Sequence, residues 1–338
     1  MQNKLDNKTI LVTGGAGYIG LHFVKATLKA SQSVNIIVVD NLVYGHEDLI
    51  RNFPVKFIKG DIGDEGLMRR VFQENQVDFV VHFAAYAYVG ESVKDPIKYY
   101  ENNVISSIIL LKTMKEAGVS NIIFSSSCAT YGLPESMPIN EDVQQSPINP
   151  YGQTKLAIEK AIKDFHTAYG LNYVILRYFN VAGADPENEI GEDHNPETHL
   201  IPLLLESIFD PEQQITVFGD DYPTEDGTCI RDYIHVNDLV HAHILGIGYL
   251  LEGKGSNIFN VGLSSGYSVK EVIDLGKKVT GKDVSYKIGK RREGDPPVLI
   301  ASSEKIKRVL GWEPKFHLED MLQHAWAWYQ KRVDRKIL

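Results

Sequence analysis

Short runs of β-branched and aliphatic residues alternate along the first half of the chain with longer stretches whose apolar positions recur every three or four residues. Ile10-Leu11-Val12, Val34 to Val39, Val55 to Ile58, Asp78 to Phe83, Asn121 to Phe124 and Tyr173 to Arg177 are the short runs. Their length and near-continuous apolar character predict buried strands. Helical patterns lie between them, from Leu21 to Leu28, from Asp64 as N-cap to about Gln73, and a long one to Ala117 that Asn102-Asn103 either begin or lie within, where Gly118 ends the run. A further helix is predicted to start at Pro150, whose fixed φ suits a helix entry, with Asn149 as its N-cap. Such alternation predicts an α/β fold: a parallel sheet with helices on both faces, and ligands at the carboxyl ends of its strands.

From Ala182 to Asn195 the composition turns to Gly, Pro, Asp and Glu. That shift predicts a first domain over 1–180 and a smaller C-terminal α/β lobe over 181–338. The lobe has helical patterns at Leu200 to Phe209, Val269 to Thr280 and from about Leu318, and a strand near Ile215 to Phe218. Arg231 to Asp238 is expected to fold back, with segments near 231–245 packing on the first domain. Trp312, Trp326 and Trp328 are expected to pack the second lobe. No internal repeat or low-complexity tract interrupts the pattern.

Composition narrows the partners. The chain has 338 residues, 43% hydrophobic and 23% charged, with a formal net charge of −9. That charge argues against a nucleic-acid surface, so an anionic ligand needs a local cationic clamp. Cys128 and Cys229 are far apart and give neither a disulfide framework nor metal-ligand spacing. His241 and His243, two apart, would leave a helix in different directions, so no metal is expected. The polar start and the lack of any membrane-length apolar run predict a cytoplasmic protein with no membrane attachment.

The glycine turn changes the picture most. Thr13-Gly14-Gly15-Ala16-Gly17-Tyr18-Ile19-Gly20 follows the first strand and opens a helix. Glycines at 14, 17 and 20 allow a tight turn, close approach of backbone to a pyrophosphate, and close packing of helix on strand. The fold expected is therefore a Rossmann-type doubly wound parallel sheet. Asp40 ends the second strand twenty positions after Gly20. Its carboxylate suits both adenosine ribose hydroxyls and would repel a 2′-phosphate, which favours NAD over NADP. Asp61 at the next strand end could meet the adenine amino group, and Ala84-Ala85 are small enough to let a cofactor pass. Tyr151 and Lys155 lie four apart on one helix face, where an ammonium could bring a phenol from about pH 10 towards neutrality. Ser127 stands at a strand end, in reach of the same site.

These features together resemble the extended short-chain dehydrogenase/reductase family and, within it, the branch that epimerises UDP-sugars at C4. The resemblance covers almost the whole chain. It is carried by the glycine turn, Val39-Asp40-Asn41, Gly60-Asp61-Ile62, His82-Phe83-Ala84-Ala85, Val89-Gly90-Glu91-Ser92, Ser125-Ser126-Ser127, Tyr151 with Lys155, and Arg177-Tyr178-Phe179-Asn180. The more specific strings are Phe218 to Thr228, Arg231 to Val236 and Arg291-Arg292-Glu293-Gly294-Asp295. The resemblance implies interconversion of UDP-glucose and UDP-galactose: transient oxidation at C4 with tightly bound NAD, rotation of the 4-keto sugar, and re-reduction on the other face. Tyr151 is then the acid/base, Lys155 lowers its pKa and holds the nicotinamide ribose, and Ser127 binds the sugar O4. Tyr18, Ile19, Asn41, Ile62, Phe83, Asn102, Ser125 and Tyr178 complete the cofactor site. Uracil is expected on Phe218 near Leu200, His199 and Thr216, the diphosphate on Arg231, Arg292 and Asn180, the uridine ribose on Asp295, and the sugar near Leu299.

Three departures stand out. Ala87 occupies the place of a cofactor-contacting lysine, His199 that of an asparagine, and Leu299 that of a pocket-closing tyrosine. The last leaves room for N-acetylated UDP-hexoses. The same resemblance keeps open a UDP-pentose (xylose/arabinose) or UDP-uronate 4-epimerase. A nucleotide-sugar 4,6-dehydratase would need an acid and base where Cys128 and Ala129 stand, and a non-enzymatic NAD-sensing protein would not need Ser127, Tyr151 and Lys155 together. The apolar helix faces at Ile105 to Leu111 and Ala157 to Ile162 are either core or the seam of a homodimer.

Overall fold

The computed structural model describes residues 2–210, 214–292 and 295–337. Glu293 and Gly294 of the Arg-Arg-Glu-Gly-Asp string lie outside the described residues. Six strands from the first half, β1 (Thr9–Thr13), β2 (Asn35–Asp40), β3 (Lys56–Lys59), β4 (Phe79–His82), β5 (Asn121–Ser127) and β6 (Asn172–Tyr178), form one parallel sheet. A seventh strand, Asn257–Val261, pairs in parallel with β6. The spatial order is Asn257–Val261, β6, β5, β4, β1, β2, β3. Strand order reverses between β1 and β4, and a crevice for ligands opens at the carboxyl ends there.

Alternation along each strand builds two core layers. Ile10 and Val12 face the layer with Leu21, Phe23 and Val24. Leu11 faces the layer with Met68, Val71 and Leu110. Each such fully buried aliphatic contributes about 1.5–3 kcal/mol relative to exposure. Behind the first layer the helix Val236–Leu251 packs on the helix Tyr18–Ala30. Residues 236–261 are thus part of the large sheet layer although they follow the loop-rich stretch. Trp312 and Trp328 also join this core, Trp312 donating to the Asp238 carbonyl. Only Trp326 packs in the small lobe as expected.

The small lobe holds the helices Leu200–Phe209, Val269–Thr280 and Leu318–Ile337 around a third core. Two small sheets connect it to the site. Ile230–His235 pairs with Gly266–Ser268, Val298–Leu299 and Asn180–Ala182, while Ile215–Phe218 pairs with Tyr286–Gly289.

Asn102 and Asn103 lie inside a long helix, one of the two placements the sequence allows. It enters at Pro96, capped by Asp95, and passes through a π-helical stretch at Tyr100–Ile105 before continuing as Ser106–Glu116. The extra residue per turn aims Asn103 inward. Its side chain accepts from the Tyr86 N–H and donates to the Tyr86 carbonyl and to Thr154 Oγ1. One amide thereby ties the segment after β4 to the helix carrying Tyr151.

Candidate active site

A single cavity of about 1080 Å³ runs from Gly14 to Leu299 along the carboxyl ends of the strands. Single small ligands occupy roughly 300–1,000 Å³, so this space suits two ligands end to end. Every residue singled out from the sequence for the site lines it except Ser125.

At the dinucleotide end the glycine turn is tight by necessity. Gly14 has φ +71°, and a Cβ there would stand 2.6 Å from the Ala84 backbone nitrogen. A Cβ on Gly20 would stand 2.2 Å from the Gly14 carbonyl oxygen. Gly17 is the N-cap of the helix Tyr18–Ala30 and offers no side-chain acceptor to its first N–H groups. Those uncapped donors, with no side chain in front of them, fit a pyrophosphate. Asp40 closes the other side, accepting from the Ala16 N–H at 3.0 Å and the Leu42 N–H at 2.8 Å. Asp61 accepts from Asn41 Nδ2 at 2.9 Å. Such a donor set fits NAD, with Asp40 set for ribose hydroxyls. Ala87 is exposed at the cavity wall, and Lys94 on the following helix lines the same space.

The Tyr151 helix forms as the sequence predicts: Pro150 is its first residue, and Asn149 accepts from the Gly152 N–H at 2.8 Å. Tyr151 and Lys155 share one face, with the Lys155 ammonium 6.0 Å from the Tyr151 ring centroid. β5 brings Ser127 beside them, paired with Tyr178 of β6. Ser125 is fully buried. Its hydroxyl meets His243 Nε2 at 2.7 Å, and its carbonyl accepts from Lys155 Nζ at 2.8 Å. It therefore orients the lysine and does not face the cavity.

Burial pushes the Tyr151 phenol up to about 12, against a hydrogen bond with Ser127 that lowers it. Burial also brings Lys155 down to about 7, with Glu159 pulling the other way. Loss of hydration drives both shifts, because burial disfavours the charged form of each group.

At the far end, Arg231 Nη2 is 2.5 Å from Asp295 Oδ1, so two residues expected on different parts of the nucleotide are paired to each other. The Arg292 guanidinium lies 4.1 Å from the Phe218 ring centroid, on the aromatic expected to carry uracil. Arg291 is held instead by Asp221 at 2.5 Å. Asn180 Nδ2 donates to the Asp232 carbonyl. Leu299 packs beside Cys128 in a cluster with Tyr131, Ile139 and Phe179.

Sequence reading missed several residues of the wall. Tyr44, Tyr86 and Tyr88 form an aromatic group, with the Tyr44 ring 5.4 Å from Tyr86 and 5.0 Å from Tyr88. Glu192 and His194 line the cavity from the loop that read only as a composition change. Burial opposes the charge on His199, but Glu192 and Glu197 outweigh it and raise its pKa to about 10.

Residues 10–262 match the NAD dependent epimerase/dehydratase family. The chain belongs to that family. Among proteins similar to it, a UDP-glucose 4-epimerase of Halalkalibacterium halodurans is 53% identical over 95% of this chain and 96% of its own. A crystal structure of a UDP-glucose 4-epimerase superposes with TM-score 0.93 at 48% identity, covering 97% of this chain and 99% of the other. The Brucella ovis UDP-glucose 4-epimerase in complex with NAD superposes with TM-score 0.90 at 44% identity, covering 94% and 97%.

Proposed function

We propose that the chain is an NAD-dependent isomerase that interconverts UDP-glucose and UDP-galactose at C4. One observation carries the reading: the Ser127–Tyr151–Lys155 group and the Phe218–Arg231–Arg292 group line the same continuous cavity. Close similarity to UDP-glucose 4-epimerases over nearly the whole chain supports it.

NAD, when bound, supplies a reversible two-electron acceptor and a positively charged ring. Gly14, Gly17, Asp40 and Asp61 would hold it. Tyr151, as phenolate, takes the proton of the sugar 4-hydroxyl and later returns one to the same oxygen, with Ser127 bonding that oxygen throughout. Lys155 adds positive charge on the tyrosine's own helix face. Arg231 and Arg292 leave their present partners to grip the diphosphate, for which a planar guanidinium fork is matched. Phe218, 36% exposed, gives up the Arg292 guanidinium for uracil. The nucleotide is then fixed while the 4-keto sugar turns over. A 4,6-elimination is disfavoured because burial pushes the Cys128 thiol up to about 12, and Ala129 carries no acid or base.

The test is turnover of a panel of UDP-hexoses and UDP-pentoses by purified protein without added NAD. Formation of UDP-galactose from UDP-glucose is expected; turnover of UDP-pentoses alone would move the assignment to a pentose epimerase. Because Leu299 leans towards the Cys128 cluster, UDP-N-acetylglucosamine is also expected to react. No turnover of it would remove that extension.

The active unit proposed is a homodimer. Leu110, Leu111, Ile158 and Ile162 of the two expected seam helices are core residues. Val93, Ile97, Tyr100 and Ile105 remain 62%, 68%, 43% and 54% exposed along neighbouring turns. Such an apolar row suits a second copy of itself. Ile97→Asp with Ile105→Asp should halve the mass measured by light scattering; an unchanged mass would exclude this face.

A further inference from the structure

Behind the cavity, a run of buried polar side chains crosses the apolar core from the glycine turn to the helix that carries Tyr151. Thr13 Oγ1 is 2.7 Å from His82 Nδ1, and His82 Nε2 is 2.8 Å from Ser107 Oγ. Ser107 donates in turn to the Asn103 carbonyl. The Asn103 amide donates to Thr154 Oγ1 at 3.1 Å, and the Thr154 hydroxyl donates to the Tyr151 carbonyl at 2.7 Å. Each of these side chains is at most 1% exposed, and none of them lines the cavity.

Every proton in this run has one place to go. The Ser107 hydroxyl gives its single proton to a carbonyl, so His82 must donate to Ser107 from Nε2. Burial, with Lys155 adding to it, lowers the His82 pKa to about 3. The ring is therefore neutral, and its Nδ1 accepts from the Thr13 hydroxyl. All the donors point from Thr13 towards Tyr151, an alignment in which each bond polarises the next.

The two ends are the parts of the site that must keep a fixed distance. Thr13 precedes Gly14, and its carbonyl accepts from the Phe83 and Ala84 N–H groups at 3.0 and 3.1 Å, which fastens the turn to the segment it packs on. At the other end the last acceptor is Tyr151 itself. Asn103 reaches inward from the π-helical stretch, a kind of turn that recurs at functional sites. Apolar side chains of the same volume could fill this space. What they would not supply is direction, because apolar burial is non-directional whereas hydrogen bonds fix length and angle. A fully satisfied buried network specifies one arrangement of the elements that carry it.

We propose that Thr13, His82, Ser107, Asn103 and Thr154 are positioning residues that set the separation between the cofactor turn and the Tyr151 phenol, and with it the alignment of the sugar C4 on the nicotinamide. The inference rests on the reading of Tyr151 as acid/base and of the glycine turn as the seat of the cofactor.

The experiment uses the purified full chain with its bound NAD. Thr13→Val and Thr154→Val each remove one hydroxyl, at opposite ends of the run, and keep the side-chain shape. Each should lower kcat for UDP-galactose by about 10–100-fold, the range of a small misplacement at the reacting centre, with KM unchanged and NAD retained. The double variant should be no slower than the slower single one, because either cut already frees the two ends. A fall equal to the product of the two single effects would make the positions independent and overturn the proposal. Thr13→Val with His82→Leu removes both partners of the first bond, so thermal stability should return towards that of the unaltered protein while kcat stays low. Recovery of kcat together with stability would show that the run serves folding alone, and would overturn the proposal as well. Emission of the bound cofactor after chemical reduction with borohydride reads the nicotinamide's surroundings without any sugar, and each single variant should shift it. Unshifted emission in both would overturn the proposal whatever the substrate. An unaltered protein that turns over no UDP-sugar would instead end the epimerase reading and leave the positioning role to be decided by the emission.

Discussion

Tyr151→Phe is expected to lower kcat by about 10²–10⁴-fold, the range of a lost acid/base group, while leaving the protein folded and its NAD bound. The substitution removes one oxygen from a side chain that is only 7% exposed and keeps its ring among Tyr88, Tyr99 and Ala129. No packing is lost. What is lost is the hydroxyl that bonds Ser127 and would carry the sugar's proton through both half-reactions, and the neighbouring Cys128 thiol, pushed up to about 12 by burial, does not replace it. Turnover of UDP-galactose and the NAD released on denaturation are the two measurements. Activity within tenfold of the unaltered protein would end the assignment of Tyr151 as acid/base, and loss of NAD would mean that the residue serves the cofactor instead.

Arg177→Met is expected to cost about 3–5 kcal/mol of stability, the range for breaking one side of a buried ion pair. That is a large share of the roughly 5–15 kcal/mol that hold a domain folded. Arg177 is 2% exposed and Glu159 fully buried. The guanidinium makes two bonds to the carboxylate, at 3.0 and 2.6 Å, and a third to the Tyr131 hydroxyl at 2.8 Å. Without it the carboxylate keeps, among the described residues, the hydrogen bonds from Ser126 and Gln145. A second variant separates charge from packing: Arg177→Met with Glu159→Leu should regain most of the loss, since an apolar pair of similar volume can replace a buried ion pair at little cost. Thermal unfolding of both variants checks this. Equal destabilisation of the single and double variants would show that the shape of the network matters and its charge does not. Glu159 lies one helical turn beyond Lys155, so this pair also stiffens the helix that presents the acid/base.

The local signals proved sufficient for the dinucleotide half. Apolar runs became β1 to β6, Asp64 and Asn149 became caps, and Gly14, Gly17 and Gly20 became the turn, because burial period, cap chemistry and backbone freedom are each written in a few adjacent residues. The partners of charged groups were not legible. Arg231 finds Asp295 sixty-four positions on, and Lys155 finds a carbonyl thirty positions back. Periodicity records which side of an element is buried and carries no information about what is buried against it.

By itself, then, the sequence determined a parallel Rossmann-type sheet, a dinucleotide turn with an acidic ribose acceptor, and a tyrosine and lysine on one helix face. Tertiary structure alone decided that the strand Asn257–Val261 completes the sheet, that Trp312 packs behind it, that desolvation drives Tyr151 and Lys155 in opposite directions, and that Glu192, His194, Glu197 and His199 converge on one point. The physical reason is range. Turns, caps and helix faces are fixed by neighbours in the chain, whereas burial and electrostatic pairing depend on the distances that folding sets between residues remote in sequence.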